Sequence, residues 1–172
     1  MKIVMIFDQI QSGLGTKDDK MLPLGGKKEA IGPAIMMEKV FKQINGQILA
    51  CLYCGNGTFQ MNPDEISRKF CAMVQKLQPD IVICGPAFNF LDYAAMCGKI
   101  ANDLNKLGVP VLAAMSKENI ETIDTYKHLI PIVRTPAKGD VGLNQALSYI
   151  GEVAKQIVNK EVDETFIKKV CF

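Results

Sequence analysis

Short apolar stretches alternate along this chain with longer segments of helical periodicity. Five stretches have the length and residue types of strands: Lys2–Phe7, Gln47–Tyr53, Ile81–Cys84, Val109–Ala114 and His128–Val133. The segments between them repeat apolar residues every three or four positions, which is typical of amphipathic helices. The predicted helices are Pro33–Ile44, a helix from an Asn62 cap through Leu77, Asn89–Leu107, Ser116–Tyr126 and Asp140–Val158.

This order of elements predicts an α/β fold. Strands recur about every 25 to 30 residues with a helix between them, the spacing of right-handed βαβ units around a parallel sheet. We expect a three-layer, doubly wound, mostly parallel sheet of five strands in the order 2-1-3-4-5, a flavodoxin-like or Rossmann-like arrangement. Residues 1–158 are expected to form a single α/β domain. Residues 159–172 are expected to form a C-terminal tail, a short helix or an arm that swaps onto a partner.

Two segments interrupt the regular pattern. Residues 16–32 carry charges and glycines without periodicity, and long loops in compact domains are often lids or binding loops. Pro131 lies inside the fifth predicted strand and cannot donate a hydrogen bond to a sheet, so that strand is expected at an edge.

Composition narrows the class of protein. The chain has 172 residues, of which 48% are hydrophobic and 22% charged, as in an ordinary soluble globular domain. The net charge is only +2 and basic residues are interleaved with acids, so neither nucleic acid nor a membrane is an expected partner. No apolar run reaches the roughly 20 residues of a membrane span, and no signal-peptide pattern is present. A cytoplasmic location is expected.

Cofactor and metal sites have little support in the sequence. With one histidine, His128, and no clustered carboxylates, no metal site is expected. The loop Ser12–Thr16 lacks the third glycine of a dinucleotide pattern and the ending of a P-loop. FMN is therefore disfavoured and no cofactor is expected. The six cysteines are expected to be reduced thiols. Cys54, at the end of the second predicted strand, is the best candidate for a reactive thiol.

The candidate ligand site is a crevice at the carboxyl ends of the first and third predicted strands, where ligands bind in open α/β sheets. Its expected lining is Asp8, Gln9, Cys54, Gly55, Gly85, Pro86, Phe88, Asn89 and Asp92. A helix that begins at Asn89 would offer free N–H groups to a carboxylate or phosphate. The alternative is that Gly85-Pro86 is only a tight turn and Asn89 only a helix cap.

A family resemblance accompanies these patterns. Its most specific part is Gly85-Pro-Ala-Phe-Asn89, continued by Tyr93 and Ala95-Met-Cys-Gly98. Further matching motifs, in the same order along the chain, are Ser12-Gly-Leu-Gly15, Ile31-Gly-Pro33 and Cys54-Gly55 with Phe59. Over residues 1–160 the chain resembles the N-terminal part of the selenoprotein subunit of component B of the glycine, sarcosine and betaine reductase complexes.

The resemblance implies an oxidoreductase subunit of anaerobic bacteria. Those complexes reductively cleave the C–N bond of glycine or an N-methylated glycine. A pyruvoyl-bearing partner subunit binds the amine, and a selenocysteine or cysteine helps to pass the carboxymethyl group to selenoprotein A. That redox-active residue lies downstream of the resembling region and is absent from this chain. The chain is therefore expected to be a stand-alone relative with different chemistry, or a split subunit or fragment that works with a second chain.

Two function hypotheses remain open. In the first, a component B-like subunit binds a small carboxylate-bearing amine. Asn89 and the adjacent helix amides hold the carboxylate, Asp8 or Asp92 meets the ammonium group, and Cys54 is the candidate nucleophile. In the second, the chain is a non-catalytic binding or assembly module with a vestigial crevice, and its tail, Phe166–Phe172, docks a partner. Partner reductase subunits and a homo-oligomer are both compatible with the sequence.

Overall fold

The structure is a computed structural model that describes residues 1–172. Its six strands are β1 Lys2–Phe7, β2 Gly25–Lys27, β3 Gln47–Tyr53, β4 Ile81–Cys84, β5 Val111–Ser116 and β6 Ile132–Thr135. Its seven helices are α1 Pro33–Gln43, α2 Asn56–Met61, α3 Pro63–Leu77, α4 Leu91–Lys106, α5 Ile120–Tyr126, α6 Leu143–Asn159 and α7 Glu164–Val170. None of these helices has the length and apolar content that crossing a membrane requires.

The strands form one mostly parallel sheet, so the α/β class is confirmed. The strand order is β2-β3-β1-β4-β5-β6, and β1 pairs in parallel with both β3 and β4. Helix α1 packs on α6, while α3 and α5 both pack on α4. The sheet has six strands where five were predicted, because β2 pairs antiparallel with β3. The sequence of β2, Gly-Gly-Lys, contains no apolar or β-branched run, so the sequence pattern predicts a loop there.

Several element boundaries differ from the predictions. The fifth predicted strand begins at Ile132, and His128 lies exposed in the preceding turn. Helix α6 begins at Leu143 and not at Asp140. The short helix α2 was not predicted at all, since glycines flank Asn56. By contrast, Asn62 caps α3 as predicted, and its side chain accepts a hydrogen bond from the amide of Glu65.

The central strands supply the core. Every residue of β4 and β5 is buried, as is every residue of β1 after Lys2, which is the expected pattern of a parallel sheet covered on both faces. Tyr93 on α4 is fully buried, and its hydroxyl donates to the backbone oxygen of Ile6 at 2.6 Å. This bond joins the start of α4 to the end of β1.

The C-terminal residues pack against the sheet. Val170 and Cys171 are buried in the main core, and Cys171 forms an isolated bridge with Val133 of the edge strand β6. All six cysteines are free thiols and all are buried.

Tyr93→Phe removes the hydroxyl that joins α4 to β1 and keeps the ring. We expect the free energy of unfolding, measured by urea denaturation, to fall by about 1 kcal/mol because one buried hydrogen bond is lost. Tyr126→Phe is the matched control, since the Tyr126 ring packs against Gly98 and its hydroxyl makes no hydrogen bond. Equal losses in the two variants would contradict the structural role given to the Tyr93 hydroxyl.

Candidate functional site

The candidate site lies at one edge of the sheet, where β1, β3 and β4 end side by side. We call this edge the rim. Because the three strands are parallel neighbours, the segments that leave them meet: Asp8 and Gln9 after β1, Cys54 to Asn56 after β3, and Gly85 to Ala87 after β4. The residues that the sequence placed at the crevice are thus brought to one edge.

Asp8 is a buried carboxylate held by donors. Its Oδ1 accepts the backbone N–H of Gln11 at 2.6 Å, and its Oδ2 accepts from Asn56 Nδ2 at 3.1 Å. Burial raises the pKa of the Asp8 carboxyl above its usual value, and the hydrogen bonds act in the opposite direction. Because the folded-state pKa is above the unfolded value, ionised Asp8 costs stability that a bound cation would restore.

Gln9 ties the first loop to helix α2. Its side-chain Oε1 accepts the backbone N–H of Asn56 at 2.9 Å. Its backbone oxygen accepts from Ser12 Oγ at 3.1 Å and from the amide of Gly15 at 3.0 Å. The glycine-containing loop after β1 therefore closes on itself and contacts α2.

Asn56 is a site residue to which the sequence pattern assigns no role. It contacts both Asp8 and Gln9, yet its own Oδ1 is buried and has no hydrogen-bond partner. It stands between two glycines, and such a segment predicts a loop and not a helix. Its position could have indicated a role, because Asn56 is the first residue of a helix that follows shortly after the end of strand β3.

Cys54 is enclosed by backbone. Its side chain is fully buried, and its Sγ lies 3.5 Å from the oxygen of Gly55 and 3.9 Å from that of Leu22. Burial raises the pKa of the Cys54 thiol to about 11. Reactive cysteines sit in partly exposed, electropositive environments that lower the pKa, so the surroundings of Cys54 favour the protonated thiol. Its catalytic role stays a prediction.

The loop of residues 16–32 covers the start of α2. The amide of Gly55 donates to Leu22 O at 2.8 Å, and the amides of Gly57 and Thr58 donate to Lys20 O at 2.9 and 3.1 Å. A Cβ on residue 55 would lie 2.1 Å from Lys20 O and would clash with it. Only glycine, which has no Cβ, fits at this position. The first amides of α2 are thus occupied by the chain itself and are not available to an anion.

The turn after β4 is fixed to the end of β5. Gly85 has φ 126°, a conformation that favours glycine, and its Cβ would lie 2.6 Å from Ala114 O. The Gly85-Pro86 bond is cis. The amide of Ala87 donates to Ala114 O, and the oxygen of Phe88 accepts from the Ser116 amide and from Asn119 Nδ2. This wall of the rim is therefore well anchored.

Asn89 and Asp92 lie at the start of α4 with different exposures. Helix α4 begins at Leu91 with Phe90 at the N-cap position, so the prediction that Asn89 starts or caps the helix is wrong. Asn89 is half-buried in the turn and Asp92 is exposed on the first helical turn. Ala94 has the first backbone amide of this helix that donates to a backbone oxygen, that of Phe90. The amides before it remain free to bind an anion.

Five cavities of the structure lie away from the rim. One of about 530 Å³ lies between α3 and α4, and others lie beside β2 and α3 and against α1 and α6. None of these is lined by Asp8, Asn56 or the turn after β4. No group of three or more histidine, cysteine or carboxylate side chains is placed to hold a metal ion.

Comparisons with known proteins identify the relatives of this chain. A family model described as glycine/sarcosine/betaine reductase selenoprotein B matches residues 1–168. Glycine reductase complex component B subunit gamma of Carboxydothermus hydrogenoformans is 29% identical over 136 residues, which cover 78% of this chain and 31% of that protein. No solved structure matches.

Two further relatives carry related names. Sarcosine reductase complex component B subunit beta of Peptoclostridium acidaminophilum is 28% identical over 136 residues, 78% of this chain and 31% of that protein. Betaine reductase complex component B subunit beta of the same organism is 25% identical over 132 residues, 76% of this chain and 29% of that protein. The chain thus spans about a third of the length of the curated relatives it matches.

Alkylation tests the state of the Cys54 thiol. A pKa of about 11 against the usual 9.0 lowers the thiolate fraction at pH 8 about a hundredfold. We expect iodoacetamide to modify Cys54 at least about a hundredfold more slowly in the folded than in the guanidinium-unfolded chain, as measured by peptide mass spectrometry. The folded-state rate should rise about tenfold per pH unit until pH 11. Rapid modification at pH 7 would instead indicate the reactive thiol that the sequence suggested.

Proposed function

The chain belongs to the glycine/sarcosine/betaine reductase selenoprotein B family, and from this membership we propose that it acts as one subunit of a cytoplasmic complex that reductively cleaves the C–N bond of glycine or an N-methylated glycine. Its relatives are named as component B subunits of glycine, sarcosine and betaine reductase complexes. The proposal gives this chain the binding of a ligand. The redox step is assigned to the region of the relatives that this chain does not span.

The proposed ligand is a small carboxylate-bearing amine at the rim. The observation that carries this proposal is the pairing, at one edge of the sheet, of a buried carboxylate at Asp8 with the free amides at the start of α4. A buried carboxylate attracts an ammonium group, and a helix N-terminus attracts a carboxylate. A zwitterion such as glycine carries both charges within one small molecule.

The remaining rim residues have supporting roles in this proposal. Phe88 and Asn89 form the wall beside the free amides, and Gly85 and Pro86 shape the turn behind them. Gln9 and Gly55 hold the segments around Asp8 in place through their hydrogen bonds to Asn56 and Leu22. Asp92 is exposed at the mouth of the site and offers a second, weaker position for an ammonium group, since exposed charges are screened.

A surface for partner subunits surrounds the same edge. In a parallel sheet the strands end at one edge, and the helices that follow begin there. Ten of the thirteen exposed large hydrophobic side chains lie in the segments at this edge. We call these ten the apolar ring: Leu14, Met21, Ile35, Met36, Met61, Phe90, Leu91, Ile120, Val141 and Leu143. Apolar side chains concentrated in this way are typical of protein interfaces.

A second candidate function, the non-catalytic assembly module, is favoured by a separate observation. The Cys54 thiol is buried with a raised pKa, and the two cavities beside α3 lie elsewhere. The tail Phe166–Phe172, which was predicted to dock a partner, packs against the chain's own core. In such a module the apolar ring would therefore dock the partner, and the rim would bind no ligand. The two candidates therefore differ in their response to small amines.

Ligand binding tests the first candidate. We expect glycine or sarcosine to raise the melting temperature of the reduced chain, since a ligand at 100 times its dissociation constant adds about 2.7 kcal/mol to the free energy of unfolding. Asp8→Asn should abolish the response to the amines. The control Asp140→Asn removes an exposed carboxylate in the segment after β6 and should leave the response unchanged. The absence of any shift in the wild-type chain would favour the assembly module.

Partner binding tests the role of the apolar ring. Leu91 and Leu107 lie near opposite ends of α4, and their exposed fractions are 63% and 53%. Immobilised wild-type chain should capture reductase component B chains, identified by mass spectrometry, from an extract of the source organism. Leu91→Lys should reduce this capture at least about tenfold, because it places a charge in the interface. The control Leu107→Lys should capture normally, and equal loss in both variants would remove the ring from the interface.

A further inference from the structure

A small cavity lies between the edge strand β2, strand β3 and helix α3. Its volume is about 270 Å³, and we call it the β2 cavity. Its floor is apolar, since it is lined by Leu52 of β3 and by Met73 and Leu77 in the second half of α3. Ala50 is two residues before Leu52 on the same strand, so both side chains face this side of the sheet.

Small residues keep the β2 cavity open. Gly26 of β2 is paired with Leu52, and a Cβ on residue 26 would lie 2.8 Å from Leu52 Cδ2 and 3.6 Å from Met73 Cε. Ala50, which also lines the cavity, contributes only a methyl group. A larger side chain at either position would occupy this space. The sequence thus leaves a hollow above an apolar floor, next to the edge of the sheet.

Positive charge surrounds this hollow. Lys27, Lys28 and Lys76 line the β2 cavity, and no acidic residue does. Lys27 pairs with Glu29 at 3.6 Å, whereas Lys28 and Lys76 are exposed and take part in none of the six salt bridges. Of the five cavities, this one alone has more than one basic residue and no acidic one.

An apolar floor beside unpaired ammonium groups matches a ligand with an apolar tail and an anionic head. At roughly 30 Å³ for each heavy atom, the volume of one molecule in liquid water, the cavity holds about nine such atoms. The apolar stems of lysine side chains can cover a hydrocarbon chain while their ammonium groups stay in water. Both parts of such a ligand would therefore be contacted at once.

We propose that the β2 cavity binds a small aliphatic carboxylate. The hydrocarbon chain lies against Leu52, Met73 and Leu77, and the carboxylate meets the ammonium groups of Lys28 and Lys76. This site is separate from the rim and does not depend on the proposed function. It adds a second ligand class to the chain, one whose recognition needs hydrophobic burial together with charge.

A partner strand fits the same edge less well. Strand β2 ends the sheet and its outer side is unpaired, which is the situation in which another chain can add a strand. However, β2 has only three residues and ends in Lys27. Short edge strands that carry lysine are a common protection against such pairing. A compact ligand therefore suits the β2 cavity better than an extended peptide does.

Nuclear magnetic resonance on the full, reduced, ¹⁵N-labelled chain tests the proposal with octanoate. Octanoate should shift the amide resonances of Gly26, Leu52 and Met73 in a saturable manner. From butanoate to octanoate, each added methylene group should strengthen binding about twofold to fourfold, because each buries further apolar surface. Octylamine has the same chain and the opposite charge, and it should bind at least about tenfold more weakly.

Variants locate the site. Lys76→Gln should weaken octanoate about threefold, the effect of one exposed ion pair, and this difference should fade at about 1 M salt. Lys106→Gln is the matched control, because Lys106 lies in the last turn of α4 as Lys76 does in that of α3, and it lines the cavity between these helices. It should bind octanoate normally. Ala50→Leu fills the β2 cavity and should weaken binding at least about tenfold.

Contrary outcomes are equally clear. Equal binding of octanoate and octylamine would overturn the assignment of a carboxylate. Loss of affinity in Lys106→Gln and not in Lys76→Gln would place the ligand between α3 and α4 and overturn the β2 cavity as its site. Should the spectrum of Ala50→Leu show an unfolded chain, the chain-length series on the wild type decides. No saturable shift with octanoate would overturn this proposal and leave the proposed function at the rim standing.

Discussion

The double pairing of β1 is the constraint on which the rest of the molecule depends. A strand hydrogen-bonded on both sides has its register fixed twice, by β3 on one side and by β4 on the other. The ends of three strands are therefore aligned, and the first residues of three loops meet at one edge. The hydroxyl of Tyr93, bonded to Ile6 O, adds helix α4 to this junction. Asp8 comes directly after this strand and is buried at the junction.

The fold was largely predictable because its signals are local. Apolar runs such as Ile81–Cys84 and the cap at Asn62 required no knowledge of distant residues, and the structure confirms both. The strand β2 could not be predicted, since Gly25–Lys27 owes its conformation to backbone pairing with Tyr53, Leu52 and Cys51. The family, inferred from the motif around Gly85 and Asn89, is confirmed by the match to residues 1–168.

The candidate site was only partly predictable. The rule that ligands bind where parallel strands end pointed to Asp8, Gln9 and the turn after β4, and those residues do meet at the rim. Burial and hydrogen bonding, however, depend on segments far apart in the chain. The carbonyl groups of Lys20 and Leu22 cover α2, which no sequence pattern indicates. For the same reason the role of Asn56 could not be predicted. It comes from contacts with Gln9 and Asp8, which lie 47 and 48 positions earlier in the chain.

The strand β2 restricts how the covering loop can move. On one side the loop is tied by the bond from the Gly15 amide to Gln9 O, and on the other by the pairing of Gly25–Lys27 with β3. The residues between these two ties are further bonded to α2 through the oxygens of Lys20 and Leu22. A chain segment fixed at both ends has few alternative conformations, so ordering it costs correspondingly little conformational entropy. The fold therefore covers this part of the rim at a small entropic cost.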